Sequence, residues 1–188
     1  SYGSSEKLIG LINKNKFKII TKIIFERKHK NYEDLRETVF KSLNNLKRKN
    51  IYGLLFHDTK FLRKKDGFLA FNNLLKLKKL GFIKKIGISI YNFKELKFII
   101  KNYKIDIIQC PFNIFDRRLV EDGWLKKLKK KNIEVHVRSI FLQGVLTKKK
   151  YAENKYFYGL QNTIRHWRNF LIKNKISPAQ GALSYIMQ

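Results

Sequence analysis

The chain has 188 residues, enough for one domain with a sizeable core, and 44% of them are hydrophobic. Its 42 Lys and Arg residues against 14 Asp and Glu give a formal net charge of +28. The single cysteine, Cys110, excludes an internal disulfide and predicts a reducing, cytoplasmic location. No apolar run approaches the roughly 18 residues that a membrane span requires, so we expect no membrane partner.

The positive charge has two interpretations. A basic protein attracts nucleic acid, and binding of that kind weakens steeply with salt. Here, however, the lysines are spread through nearly every segment, and they far outnumber the arginines that nucleic-acid readers use for bidentate contacts. Lys, Asn and Ile are abundant together and share A/T-rich codons. We therefore favour a compositional origin and keep nucleic-acid binding as the weaker alternative.

Short apolar runs alternate with amphipathic segments along the chain. The first helix between two strands is the clearest, with Leu35, Val39 and Leu43 on one face and Asn31 as its cap. Gly81 suits the end of the next helix. The apolar runs predict five strands, at 17–21, 51–56, 84–88, 104–109 and 133–137. The other periodic segments predict helices at 5–13, 67–80, 92–102, 120–131 and 161–173, and from Ser177 onward.

Repeated β-α units of this kind predict a parallel sheet with right-handed crossovers. Two architectures are compatible with the pattern, an open doubly wound sheet and a closed (β/α)8 barrel. An open sheet that binds a nucleotide usually carries G-x-G-x-x-G after its first strand, and the sequence has no such motif. The visible strands are too few for a complete barrel.

Each predicted strand ends in a hydrogen-bonding side chain. In a parallel barrel the carboxyl ends of the strands lie on one face, and that face carries the chemistry. A polar residue at one strand end is unremarkable, but five together predict a site. The residues concerned are Lys22, His57, Ser89, Gln109 and the pair Arg138 and Ser139.

Six segments then occur in an order and spacing that resemble the aldo-keto reductase family. They are SYGSSE, IITK, GLLFHD, KKIGIS, IIQCPFNIFDR and SIFLQGVLT, and SPAQGALSYIM resembles a later helix. The resemblance implies a (β/α)8 barrel that reduces a carbonyl compound with a nicotinamide cofactor. It also implies one barrel domain over 1–188, truncated at both ends, that lacks strands 1, 2 and 8. Such a fragment alone is expected to be inactive.

By this resemblance, Tyr2, Lys22 and His57 match the catalytic Tyr, Lys and His, and the catalytic Asp would precede the first residue. A phenol has an ordinary pKa of about 10, which is high for proton donation at neutral pH. A nearby ammonium such as that of Lys22 lowers the pKa of the phenol. A neutral His57 would donate a hydrogen bond to the substrate carbonyl and polarise it.

The resemblance also implies the cofactor contacts. Ser89 and Gln109 would hold the carboxamide of NADPH or NADH. Relatives often place Asn after that Ser, whereas this chain has Ile90. The remaining contacts would come from Arg138, Ser139, Phe141, Gln143 and Gly144.

Many relatives carry an aromatic residue where this chain has Arg138. The change resembles a branch associated with bacterial polysaccharide and spore-coat clusters, which extends the expected substrates to sugar-related carbonyl compounds. A non-catalytic NADP(H)-binding regulatory barrel of the same family is the alternative. The exact substrate and the oligomeric state stay open.

Several other residues are assigned ordinary roles. No His, Cys or carboxylate spacing predicts a metal site. We predict that His29 is solvated in the basic loop RKHK, and that His136 points into the barrel wall or toward a helix. Cys110 is predicted to be a small buried filler, and Trp167 to belong to the core. Asp58 receives no role.

Overall fold

The computed structural model describes residues 3–12, 17–147 and 159–187, so the predicted catalytic residue Tyr2 lies outside the described residues. The strands are β1 (Ile20–Ile23), β2 (Ile51–Phe56), β3 (Ile83–Ser89), β4 (Ile107–Pro111) and β5 (Glu134–Arg138). The helices are α1 (Ser5–Ile12), α2 (Tyr32–Asn45), α3 (Lys65–Lys79), α4 (Leu96–Asn102), α5 (Arg118–Glu121), α6 (Trp124–Lys130), α7 (Gln161–Lys173) and α8 (Pro178–Met187). Short 3-10 helices cover Arg27–Lys30, Phe61–Arg63, Phe93–Glu95 and Leu142–Gly144.

The five strands form one sheet in the order β1-β2-β3-β4-β5. β1 pairs with β2, β2 with β3, and β3 with β4, each in parallel. A sheet whose spatial order follows the chain, with a helical connection after each strand, is the wall of a (β/α)8 barrel. The predicted fold class is therefore confirmed, with five β-α units present.

Helix α2 shows how the sequence sets these units. The Asn31 side chain accepts a hydrogen bond from the backbone N–H of Glu33 at 3.0 Å and caps the helix. Leu35, Val39 and Leu43 are buried on its inner face. Helix α3 ends before Gly81, whose φ of +84° supplies the left-handed turn. These predictions are confirmed.

The helix predicted over 120–131 is wrong, because the structure contains two shorter helices, α5 and α6, in its place. Gly123 lies between them with a φ of +70°, a left-handed conformation that interrupts the helix. The apolar periodicity continues across the break. Periodicity alone therefore did not indicate the interruption.

The prediction for His29 is also wrong, since its side chain is only 2% exposed. Its Nδ1 accepts a hydrogen bond from the Glu26 N–H at 2.8 Å, and its Nε2 lies 3.1 Å from Thr38 Oγ1. Thr38 Oγ1 donates to the Asp34 carbonyl, so His29 donates to Thr38 from Nε2. Burial, followed by the charge of Lys28, lowers the pKa of His29 from 6.5.

The chain divides into two compact units. The first comprises Ser1–Cys110 and Leu125–His136, and the second comprises Pro111–Trp124 and Val137–Gln188. The second unit has its own small core, formed by Leu146, Trp167, Leu171 and Ala182. Trp167 is thus a core residue, and Cys110 in the first unit is fully buried, as predicted. The single barrel domain over 1–188 stays a prediction.

Two glycines let side chains pack closely on one face of the sheet in the first unit. A Cβ on Gly53 would lie 2.9 Å from Ile107 Cδ1. A Cβ on Gly87 would lie 2.3 Å from the Ile107 carbonyl oxygen and 2.5 Å from Leu55 Cδ2. At Gly87 the nearest atom belongs to the backbone, so this position requires glycine, whereas at Gly53 it is the end of a side chain that would have to shift.

No helix in the described ranges is long and apolar enough to cross a membrane.

Candidate active site

Parallel register aligns the predicted site residues of the first unit. Lys22 is the partner of Leu55, and Leu55 is the partner of Gly87. Ser89, two residues after Gly87, is the partner of Gln109. Side chains two residues apart in a strand point to the same face. Lys22, Ser89 and Gln109 therefore share one face of the sheet.

His57 follows β2 directly and continues its ladder, because its backbone N–H donates to the Ile23 carbonyl at 3.1 Å. Asp58, for which the sequence predicted no role, accepts a hydrogen bond from the Lys60 N–H at 2.8 Å and closes a turn. Thr59 is 2% exposed and donates to the Glu95 carboxylate. These two contacts fix the loop that carries His57 at the carboxyl edge of the sheet.

Lys22 is half-buried in β1, next to a contact that sequence reasoning missed. The neighbouring Thr21 donates from Oγ1 to Glu6 Oε1 at 2.7 Å, and both residues are buried. Asn45 Nδ2 lies 3.5 Å from the other oxygen of Glu6. Glu6 thus fastens α1 to β1 beside Lys22. Its place in the segment SYGSSE was the only available signal.

Ser89 is the last residue of β3, and its partner Gln109 is the third of the five residues of β4, which continues to Pro111 and not, as predicted, only to Gln109. Ser89 is 2% exposed. The Gln109 backbone carbonyl accepts from the Ile90 N–H at 2.9 Å. Its side-chain oxygen Oε1 is buried and accepts no hydrogen bond from the described residues. A buried acceptor without a donor costs about 1–3 kcal/mol, so this oxygen is suited to a ligand that brings an N–H or O–H.

A second polar cluster lies toward the amino ends of the strands, and hydrogen bonds join its four side chains. Glu134 accepts hydrogen bonds from Tyr52 Oη at 2.8 Å and from the Lys85 ammonium, and its other oxygen lies 2.9 Å from His136 Nε2. Burial raises the pKa of Glu134, but the hydrogen bonds from Lys85, His136 and Tyr52 outweigh it and lower the pKa from 4.5 to about 2. The same hydrogen bond from Lys85 to Glu134 raises the pKa of Lys85. The structure therefore places His136 beside a carboxylate.

The other predicted cofactor residues lie in the second unit, in the loop after β5. Arg138 Nη1 is 3.4 Å from Ser139 Oγ, and the Arg138 carbonyl accepts from the Phe112 N–H at 3.2 Å. Phe141 packs against the small core of this unit, and its carbonyl accepts from the Gly144 N–H at 2.9 Å.

The backbone of this loop is unusual. Positive φ angles occur at Ser139 (+59°), Leu142 (+46°), Gln143 (+53°) and Gly144 (+91°). Three of these residues carry a Cβ, and each such conformation costs of order 1 kcal/mol or more. Strain of this kind is concentrated at ligand clamps and active sites. The loop of the second unit is therefore a second candidate binding element.

No group of three or more His, Cys, Asp or Glu side chains within the described residues could hold a metal ion.

Five parallel strands in chain order, each followed by a helical connection, define part of a (β/α)8 barrel, and the carboxyl-end region with Lys22, His57, Ser89 and Gln109 is its candidate site. The model of the aldo/keto reductase family matches residues 1–188, and the chain belongs to this family. No curated protein matches the chain in sequence.

Solved structures agree with the fold. The glycerol dehydrogenase AKR11B4 from Gluconobacter oxydans superimposes with a TM-score of 0.73 and 20% identity, over 97% of this chain and 64% of that chain. The holo form of the aldo-keto reductase AKR11C1 from Bacillus halodurans gives a TM-score of 0.67 and 22% identity, over 80% of this chain and 53% of that chain. This chain thus spans only part of the length of both proteins. Identity this low shows the shared fold alone.

Proposed function

We propose that the protein reduces an aldehyde or ketone, including sugar-related carbonyl compounds, with NADPH or NADH as the hydride donor. Family membership supports oxidoreductase chemistry. The observation that carries the proposal is the buried Gln109 Oε1, which has no donor among the described residues and lies beside Ser89 on the same rung of the sheet. A primary carboxamide supplies N–H donors to such an oxygen and a carbonyl acceptor to a hydroxyl.

Each unit contributes its own part of the proposed cofactor contacts. In the first unit, Ser89 and Gln109 would bind the nicotinamide carboxamide. In the second unit, Arg138, Ser139, Phe141, Gln143 and Gly144 would bind the remainder of the dinucleotide, with the 139–144 loop at its pyrophosphate. When bound, the nicotinamide supplies the hydride.

The catalytic roles are assigned to Tyr2, Lys22 and His57. Tyr2 would donate a proton to the carbonyl oxygen as negative charge develops there. Lys22 would favour the phenolate and so bring the proton-donating ability of Tyr2 toward neutral pH. His57, held at the end of β2, would donate a hydrogen bond that orients and polarises the carbonyl.

NADPH oxidation by the full-length protein, with a panel of aldehydes and keto sugars, tests this proposal. Lys22→Met and Tyr2→Phe should each reduce kcat by at least about 100-fold, because each removes part of the proton-donating pair. Lys60→Met is the matched control, since Lys60 is an exposed lysine in the loop after His57. Equal turnover in Tyr2→Phe and wild type would contradict the role of Tyr2.

A second function has one supporting observation. Ile90, which follows Ser89, is 1% exposed and offers no side-chain hydrogen bond where relatives often place Asn. A barrel with fewer cofactor contacts of this kind would suit an NADP(H)-binding regulatory module. Tight NADPH binding with no turnover on any carbonyl substrate would favour that function over the reductase.

A further inference from the structure

Asn113 is a buried polar residue of the second unit. No catalytic or cofactor role assigned above explains its contacts. It is only 1% exposed. Its side-chain oxygen Oδ1 accepts from the backbone N–H groups of Phe115 at 2.9 Å and Asp116 at 3.0 Å. Its Nδ2 donates to the Ser139 carbonyl at 3.1 Å. One side chain thus joins the 113–116 turn to the first residue of the 139–144 loop.

The turn that presents Asn113 is itself rigid. The backbone N–H groups of Asn113 and Asp116 each donate to the other's carbonyl at 3.1 Å. The Asp116 carboxylate receives two hydrogen bonds from the Arg118 guanidinium, both at 2.7 Å. Asn113 therefore has little freedom to follow the loop if the loop moves.

The residue at the other end of this contact is strained. Ser139 has a φ of +59°, which residues with a Cβ rarely adopt. Its carbonyl accepts a second hydrogen bond, from the Leu142 N–H at 2.9 Å. Such conformations persist only where the surroundings determine them. The two hydrogen bonds to the Ser139 carbonyl hold Ser139 in this conformation.

We propose that Asn113 is a positioning residue for the dinucleotide: through the Ser139 carbonyl it holds the 139–144 loop in its binding conformation. The inference rests on the proposed function of that loop. Asn113 itself need not touch the ligand. A loop that is already ordered loses less conformational freedom when it binds, so its affinity is higher. Without the Asn113 contact, cofactor binding would have to order the loop as well.

Asn113→Asp isolates this contact. The substitution keeps an oxygen acceptor for the Phe115 and Asp116 N–H groups and replaces the donor to Ser139 with a second oxygen. Asn113→Ser is the companion variant, because a short neutral hydroxyl avoids a buried charge and cannot span the distance to Ser139. Asn174→Asp is the matched control. Asn174 Nδ2 also donates to a backbone carbonyl, that of Phe170 at 2.8 Å, at the exposed end of α7 in the same unit.

Two measurements on the full-length protein separate the inference from the proposed function. The first is amide hydrogen exchange over 139–147 without cofactor. The second is the Kd for NADPH, with the KM for NADPH and kcat measured beside it. Both Asn113 variants should accelerate exchange at Leu142 and Gly144 and raise Kd and KM about tenfold, the effect of losing one well-placed hydrogen bond, with kcat nearly unchanged. Asn174→Asp should change none of these.

Unchanged exchange in both Asn113 variants would overturn the inference whatever the cofactor result. Faster exchange with an unchanged Kd would also overturn it and leave Asn113 a purely structural residue. A wild-type protein that binds neither NADPH nor NADH would refute the proposed function, and the inference with it. In that last case the exchange data would still report whether Asn113 orders the loop.

Discussion

Two regions of the sheet in the first unit differ in how their polar side chains are paired. Near the amino ends, Tyr52, Lys85 and His136 all contact one carboxylate, that of Glu134. At the carboxyl ends, Gln109 keeps a buried oxygen that no described residue satisfies. Both regions are polar and partly enclosed, but of the two only the second holds a buried acceptor without a donor among the described residues.

The difference separates stability from binding. A polar group whose hydrogen bonds are all made within the protein stabilises the fold, and it has no donor or acceptor left for a ligand. A polar group left unsatisfied weakens the fold until a ligand pairs with it. The perturbed pKa of Glu134 therefore marks a structural network, although perturbed values are often taken to indicate active sites. The following experiments test this distinction.

The largest effect is expected from Glu134→Ala. The substitution leaves Tyr52, Lys85 and His136 without their shared acceptor, and we expect the free energy of unfolding to fall by about 2–3 kcal/mol. Glu33→Ala is the control, since the Glu33 side chain is 69% exposed and pairs with Arg36 on the surface of α2. It should cost about 0.5 kcal/mol or less in denaturant unfolding. Equal losses in the two variants would show that the Glu134 cluster does not stabilise the fold.

Gln109→Leu should weaken NADPH binding without lowering the free energy of unfolding. Replacing an unsatisfied buried carbonyl with an apolar group of similar size should leave the free energy of unfolding unchanged or raise it by up to about 1 kcal/mol. The Kd for NADPH should rise about tenfold, as measured by titration, because the ligand loses its acceptor. Gln180→Leu, at an exposed position of α8, should change neither quantity. A Gln109 variant that is clearly destabilised would show that its oxygen has a structural partner.

The pH dependence of stability is a second test of the Glu134 cluster. The pKa of Glu134 is lowered from 4.5 to about 2, so its contribution to stability is complete above pH 4.5 and is lost as the pH falls toward 2. Glu134→Gln removes the ionisable group. Between pH 5 and 2, thermal melts of the wild type should therefore lose about 1–2 kcal/mol more than those of the variant, a figure reduced for partial solvent exposure. Parallel pH curves for the two proteins would contradict the lowered pKa.

The smallest effect is expected at His29, a third polar site that is satisfied internally. Its pKa is lowered from 6.5, chiefly by burial, so the folded state prefers the neutral imidazole. Stability should be complete above pH 6.5 and should fall as the pH drops below it, since protonation of Nδ1 breaks the hydrogen bond from Glu26. We expect a loss of about 1 kcal/mol, the value of one hydrogen bond. His29→Gln should remove the pH dependence between 6.5 and 5 in thermal melts, whereas exposed His166→Gln should retain it.

The sequence was most informative where the signal is local. Apolar runs located all five strands, and β2 and α7 have the predicted bounds. Strand ends located Lys22, His57, Ser89 and Gln109, because their common face follows from alternation and register. Whether these residues act as proposed stays a prediction.

The errors and omissions arise from long-range contacts and single backbone angles. Tyr52 and Glu134 are 82 positions apart, and no periodicity relates them. The charged neighbours of His29 suggested solvent exposure, whereas Phe25 and Thr38 enclose its ring. At Gly123 one positive φ divides a helix that is continuous in its apolar pattern.

The absence of a Cβ at two positions shapes the sheet face that carries Ser89 and Gln109. Gly53 and Gly87 admit Leu55 and Ile107 into space that a Cβ would occupy, and these apolar side chains form a floor below the rung of Ser89 and Gln109. An alanine at either glycine would displace that floor, and the Ile107 backbone opposite Gly87 cannot yield as a flexible side chain could. Two positions that never reach Ser89 or Gln109 thus fix the packing directly beneath both residues.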